Sequence, residues 1–200
     1  MTEVVSRSGY AVLIGQGELG AGPKHKFGGL PEGIPESRVP QCRLCRHPLH
    51  LLLQVDLTDP KLDIGLRNQA FLLVLGCLNC DSYWDPLYYR VNPLGIEVVS
   101  QGGAETFGEF PAILPERPLA FAPLERSWSE EDEAKHQLGG APLWIQDPQE
   151  PECCTCGEPM RFVAQVDSDW DAGTQFGDMG ILYAFLCPDC GIYATFMQCY

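Results

Sequence analysis

The sequence predicts a mainly β protein, a duplicated β-rich module with pseudo-two-fold symmetry and two zinc knuckle sites; an α+β arrangement is the alternative. Three observations carry this expectation. A 34-residue string recurs. Two sets of paired cysteines recur with it. Short apolar runs, β-branched in places, end at turn residues in both copies.

Residues 24–57 read KHKFGGLPEGIPESRVPQCRLCRHPLHLLLQVDL, and residues 135–168 read KHQLGGAPLWIQDPQEPECCTCGEPMRFVAQVDS. The offset is 111 without a gap, and 13 of the 34 positions are identical. They include Lys24/Lys135, His25/His136, Gly28/Gly139, Gly29/Gly140, Cys42/Cys153, Cys45/Cys156, Gln54/Gln165 and Asp56/Asp167. The match extends weakly outward. Tyr10-Ala11-Val12-Leu13 faces Phe121-Ala122-Pro123-Leu124, and after one dropped residue Phe71–Cys77 faces Ile181–Cys187. The unit runs from about residue 8 to 90 and again from about 119 to 200. Residues 1–118 hold the first module with its connector, 91–118, and residues 119–200 the second. The two are expected to form one compact pseudo-symmetric domain.

Leu49–Leu57 and Met160–Asp167 read as strands. Phe71–Gly76, Ile181–Leu186 and Tyr10–Ile14 are short continuous apolar runs, hence buried strands. The connector has its own strand at Gly95–Ser100. A helix is expected over Ser129–Gln137, where Ser129 can cap and Glu130, Glu131 and Asp132 load the first turn. Gly-Gly-x-Pro opens each central loop, which points to positive φ or close backbone approach.

Apolar residues make up 45% of the chain, enough for a core, and 21 Gly with 17 Pro imply many turns. No apolar run approaches the roughly 20 residues that span a bilayer. The N-terminus, Met1 to Ser6, lacks a basic region followed by an apolar stretch, so a cytoplasmic chain with reduced cysteines is expected. The formal charge is −14, from 13 basic and 27 acidic residues. Two zinc–tetrathiolate sites, each carrying two net negative charges, would bring it to about −18. Such a chain binds bare phosphate backbone poorly and suits a Lys/Arg-rich protein segment. The alternative reading is that the acidity serves solubility alone.

Each repeat has a Cys-x-x-Cys, about 30 residues, and a second Cys-x-x-Cys: Cys42, Cys45, Cys77 and Cys80, then Cys153, Cys156, Cys187 and Cys190. Each pair places two sulfurs on one side of a tight turn, and two turns complete the thiolate tetrahedron that zinc prefers. Two structural zinc ions follow. A redox Cys-x-x-Cys would precede a helix in a βαβ setting, which is not visible, and paired knuckles favour zinc over an iron–sulfur cluster. Four sulfurs leave no open position, so catalysis at the metal is not expected. Cys154 and Cys199 are left over and read as small apolar residues.

Other motifs carry less. Gly15-Gln16-Gly17-Glu18-Leu19-Gly20 matches a dinucleotide fingerprint, but Ala21-Gly22-Pro23 follows where a helix must begin. Asp167 to Gly173 with Asp178 resembles a calcium loop, yet its glycine comes one place late and no helices flank it, so a solvated turn is expected. His25 and His136 read as structural hydrogen-bonding groups. Gln54 and Gln165 interrupt apolar strands and should brace a loop equivalently in both halves. Glu125–Glu133 and Asp167–Asp178 gather acid around Trp128 and Trp170, which either form binding hot spots or tuck into the core.

Lys-x-Gly-Gly-x-Pro, Pro-x-Cys-x-x-Cys-x-x-Pro, a strand ending in Gln-Val-Asp, and the second Cys-x-x-Cys together resemble the YwqG-like family of unknown function. They also resemble the related eukaryotic programmed cell death protein 2 family. The second half, with LGGAPLWIQDPQEPECCTCGEPMRFVAQVDSD and GDMGILYAFLCPDC, is the closer match. The resemblance implies a duplicated β-rich fold and, for the eukaryotic relatives, a chaperone-like role toward a newly made basic ribosomal protein. The chain lacks a separate zinc-finger insertion and looks like the bacterial branch, where some members are read as immunity proteins. The leading expectation is a non-enzymatic zinc-binding protein-interaction module, a chaperone-like or inhibitory binder of a basic protein. The rivals are a toxin-neutralising immunity protein and an RNA-related enzyme using His25 or His136 with Asp56 or Asp167.

Overall fold

The computed structural model describes residues 9–16, 24–66, 69–80, 85–92, 95–102, 110–124 and 135–200. Eleven strands run through them: β1 (Gly9–Ile14), β2 (Lys26–Phe27), β3 (His50–Asp56), β4 (Phe71–Gly76), β5 (Leu87–Asn92), β6 (Gly95–Ser100), β7 (Arg117–Leu124), β8 (Gln137–Gly139), β9 (Arg161–Asp167), β10 (Ile181–Cys187) and β11 (Ile192–Gln198). They form one antiparallel sheet in the order β4-β3-β2-β7-β1-β8-β9-β10-β11-β5-β6. The fold is mainly β. Among the described residues the helical structure is one 3-10 turn, Glu36–Arg38.

The apolar runs at Phe71–Gly76 and Ile181–Cys187 form strands because both of their faces are covered. Along β10, Leu182, Ala184 and Leu186 enter one core, while Ile181, Tyr183 and Phe185 enter another. The first core also takes Leu51, Leu53 and Val55 of β3 and Leu72 to Leu75 of β4, so it joins residues of both repeats. The sheet curls, and side chains close its β4 edge. Tyr89 on β5 donates its hydroxyl to the Leu73 carbonyl at 2.8 Å and accepts the Leu75 amide at 3.0 Å. Thr195 on β11 donates to the Leu75 carbonyl at 3.0 Å.

Matched positions make matched contacts. Gln54 accepts the Glu32 amide at 2.7 Å and donates to the Lys24 carbonyl at 3.0 Å; Gln165 accepts the Leu143 amide and donates to the Lys135 carbonyl, both at 2.9 Å. Lys26 pairs with Gln54 as Gln137 pairs with Gln165. β3–β4 and β9–β10 shift register at the same place, after Leu51 and after Phe162. Between β1 and β7 the pairing centres on Ala11 opposite Ala122, themselves 111 apart. The Gly-Gly expectation holds too: φ is 69° and 67° at Gly28 and Gly29, and 65° and 72° at Gly139 and Gly140. A Cβ on Gly28 would lie 2.2 Å from the Pro115 carbonyl oxygen.

The halves also depart from each other. Val12 donates its amide to the His136 carbonyl at 2.9 Å, but the residue matching Val12 is Pro123, which has no N–H to give His25. β2 pairs further along β7 instead, with Lys26 opposite Pro118. β5 does not pair with β4, as β11 pairs with β10, but crosses to β11.

One element differs from expectation. Residues 125–134, which hold most of the helix expected at Ser129–Gln137 and all of the Glu125–Glu133 segment with Trp128, lie outside the described residues. The end of that span, Gln137, opens β8, because its backbone pairs with Ala11 and Gln165. The strands β2, β5, β7, β8 and β11 had no expectation of their own. Among the described residues no helix is long and apolar enough to cross a membrane.

Candidate metal centres

Each first knuckle is a small closed loop. In the first repeat Leu49 donates to the Pro40 carbonyl at 2.9 Å, Cys42 to His47 at 2.8 Å and Arg46 to Cys42 at 3.0 Å. In the second, Met160 donates to Pro151 at 2.9 Å, and Cys153 to Glu158 and Gly157 to Cys153 at 2.8 Å. The turn needs positive φ after the second cysteine. Gly157 takes 75° freely, whereas Arg46 takes 65° as an L-residue. The second knuckles leave β4 and β10, and strand pairing brings them against the first.

Each set of four sulfurs lies within 4.8 Å of one another: Cys42, Cys45, Cys77 and Cys80; and Cys153, Cys156, Cys187 and Cys190. Cys42 and Cys80 are 3.8 Å apart, Cys45 and Cys77 3.6 Å, and Cys156 and Cys187 3.8 Å. A thiolate tetrahedron with bonds of about 2.3 Å has edges of about 3.8 Å. These separations are far beyond a disulfide bond and match such edges. Each group could hold one metal ion, and the donor set fits structural zinc. The first site is the deeper, with Cys42, Cys77 and Cys80 buried; in the second, Cys156 is exposed.

Electrostatics inside the clusters favour a cation. Four thiols in contact cannot all ionise unaided, because each negative sulfur repels the next. In the first site the Cys77 hydrogen bond, with backbone amides of Cys45 and Leu44, holds Cys42 down to about 4. Cys77 itself is raised by that same bond and by burial. Burial and the neighbouring cysteines push Cys80 up to about 12. In the second site burial raises Cys153, but the backbone amides of Cys156 and Thr155 and the neighbouring thiols outweigh it and hold it at about 7. Cys156 and burial push Cys190 up to about 12. A bound divalent ion would let all four sulfurs ionise at neutral pH.

Two side chains that sequence reasoning missed support the first site. Gln101 donates Nε2 to Cys42 Sγ at 3.0 Å and accepts the Arg43 amide on Oε1 at 2.8 Å. His50, buried at the head of β3, accepts the Leu78 amide on Nδ1 at 3.2 Å and donates Nε2–H to the Pro111 carbonyl at 3.0 Å. His50 was legible only as a polar residue inside an apolar run. Gln101 carried no signal, being 59 residues from Cys42.

The remaining candidates fall as follows. Cys199 is buried and donates its thiol to the Phe176 carbonyl at 3.4 Å. Cys154 is exposed, contrary to its reading as a small apolar residue; Cys153 turns inward to the cluster, so its neighbour faces solvent. His25 and His136 each accept a backbone amide on Nδ1, from Asp56 and Asp167 at 3.1 Å. Each therefore carries its proton on Nε2 and donates it to a carboxylate, Asp59 or Asp169, again at 3.1 Å. In the calcium-like segment, Asp169 Oδ1 accepts the amides of Asp171 and Ala172, and Asp167 Oδ2 accepts that of Lys135. The Asp169 oxygen is spent on the turn and the Asp167 oxygen on the segment before β8. Trp170 stands on that turn 71% exposed. Of the Gly15–Gly20 motif only Gly15 and Gln16 are described, at the end of β1.

No family model matches the chain. Over 62 residues, 31% of its length, the chain is 42% identical to an uncharacterized protein, YpfL, of Salmonella typhimurium. The chain spans 14% of the length of that relative. The likeness is to a segment of a protein with no stated activity, and it brings none with it.

Proposed function

We propose that the chain is a zinc-binding protein-interaction module, a chaperone-like or inhibitory binder, whose acidic surface holds a Lys/Arg-rich protein partner. The metals in this reading are two structural zinc ions that fix the knuckles and leave no position open for substrate. The observation that carries the partner is Trp170. It is 71% exposed, on a turn between Asp169 and Asp171, in a chain of formal charge −14. An aromatic face with surrounding acid suits a cationic side chain. The protein makes one such contact elsewhere, with Lys135 Nζ 5.7 Å from the ring centroid of Tyr200, itself 70% exposed.

A non-enzymatic role is supported by His25 and His136, whose two ring nitrogens are both engaged. The resemblance to the YwqG-like and programmed cell death protein 2 families agrees with a binding role. Two measurements test this reading. Metal analysis of the purified chain should give close to two zinc ions; none, or iron with visible absorbance, refutes the metal assignment. A Lys/Arg-rich peptide should bind with affinity that falls as salt rises, and Trp170→Ala should weaken it with zinc retained. Binding that is insensitive to salt and to Trp170→Ala refutes the partner assignment.

A further inference from the structure

Beside the outer edge of β4 lies a cavity of about 520 Å3, floored by Ile34, Phe71, Leu73 and Val91 and rimmed by Glu32 and Arg38. That volume falls within the range of small-ligand sites. The second repeat shows what the same place holds when it is filled. Gly33 matches Trp144, Leu73 matches Tyr183 and Leu75 matches Phe185. Trp144 packs its ring 4.8 Å from Tyr183, 6.1 Å from Phe185 and 6.4 Å from Phe196. Tyr183 also ties the loop down, accepting the Ile145 amide at 3.3 Å and donating to the Leu143 carbonyl at 2.6 Å. In the first repeat three aromatic rings are replaced by one glycine and two leucines. The loop there turns on itself instead, Ile34 donating to Pro31 at 3.0 Å, and a Cβ on Gly33 would meet no atom within 4 Å.

Among the described residues, the cavity also borders the side of β4 that no neighbouring strand takes. Ala70 gives its carbonyl to Leu57 across the β3 side, whereas Leu73 and Leu75 use their outward groups on Tyr89 and Thr195. Strand alternation therefore turns the Phe71 N–H and C=O away from β3, and Phe71 lines the cavity. An apolar pocket beside the Phe71 end of the β4 edge, which Tyr89 and Thr195 do not cap, has the two parts of a peptide site: a hole for one side chain and backbone partners for the residue that carries it.

The geometry points to a peptide-binding site in which an extended segment of a partner protein pairs with the Phe71 edge of β4 and seats an indole-sized aromatic side chain where Trp144 sits in the other repeat. The site is separate from the acidic turn of Trp170, so either can fail without the other. It is tested on the full, zinc-loaded chain by amide NMR titration with N-acetyl-tryptophanamide, indole and N-acetyl-alaninamide. N-acetyl-tryptophanamide should shift the amides of Gly33, Phe71 and Val91 and bind roughly tenfold more tightly than indole, the contribution of two backbone hydrogen bonds. N-acetyl-alaninamide should leave them unmoved. Leu73→Tyr and Ala70→Trp should each abolish the shifts with both zinc ions retained. If Leu73→Tyr does not fold, Ala70→Trp decides alone, since Ala70 is exposed at the rim. Absence of shifts at these amides, or binding unchanged in a folded variant, overturns the proposal. Equal binding of indole alone overturns the strand-edge part and leaves a pocket for free aromatic molecules.

Discussion

Gln101 donates its side-chain amide to Cys42 Sγ at 3.0 Å, reaching the first cluster from the connector rather than from either repeat. A hydrogen bond to a metal thiolate orients it and spreads its charge, and loss of such a supporting group typically costs about 10- to 100-fold in metal affinity. Gln101 has no matched position in the second repeat. Gln101→Ala should therefore speed zinc loss from one site by at least about tenfold and leave the other unchanged. Chelator-driven release, followed with a chromogenic zinc indicator, should show one of two phases altered.

The leftover cysteines separate from the ligands. Cys77→Ser leaves three thiolates and should lose one zinc ion with a large fall in thermal midpoint. Cys199→Ser, at a buried thiol bonded to Phe176, should cost at most roughly 1–2 kcal/mol. Cys154→Ser, at an exposed position, should cost less than about 0.5 kcal/mol. Metal content and calorimetry on the three variants decide the assignment; equal zinc loss in all of them means the ligand set is wrong.

Gln54 and Gln165, both fully buried, hold the strand to the loop after each Gly-Gly-x-Pro opening. Gln165→Leu would leave the Leu143 amide and the Lys135 carbonyl, both on half-buried residues, without their partner, at a cost of about 1–3 kcal/mol, and Gln54→Leu should cost a similar amount. Urea unfolding midpoints of the two variants should fall together with little change in slope.

Acid should weaken the protein through Asp169. The His136 hydrogen bond, reinforced by the amides of Ala172 and Asp171, lowers Asp169 to about 2 against an ordinary value near 3.9. A carboxyl depressed on folding contributes stability that is present above the unfolded value and is lost as pH falls from about 4 through about 2. Acid would also protonate the cluster cysteines and release a bound metal, in wild type and variant alike. Relative to wild type, Asp169→Asn should therefore show a smaller fall in guanidinium midpoint between about pH 5 and about pH 3. Parallel falls in the two proteins would remove Asp169 from the acid response.

The sequence by itself determined what depends on local spacing. Two sulfurs three residues apart in a tight turn, repeated four times, name the eight members of the two clusters before any coordinates do. Alternating or continuous apolar runs place β1, β3, β4, β6, β9 and β10 within a residue or two. A glutamine at the same place in two apolar strands announces a brace, since a buried amide must find partners. Only the tertiary structure decided what depends on contacts between distant segments. Such contacts are Gln101 and His50 converging on the first cluster, β5 crossing to β11, and Tyr89 closing the β4 edge. The outward turn of Trp170 and the cavity opposite Gly33 belong with them. None of these has a period or a spacing: each is fixed by which surfaces remain uncovered after the strands have paired, a property of the packed sheet and not of any stretch of chain.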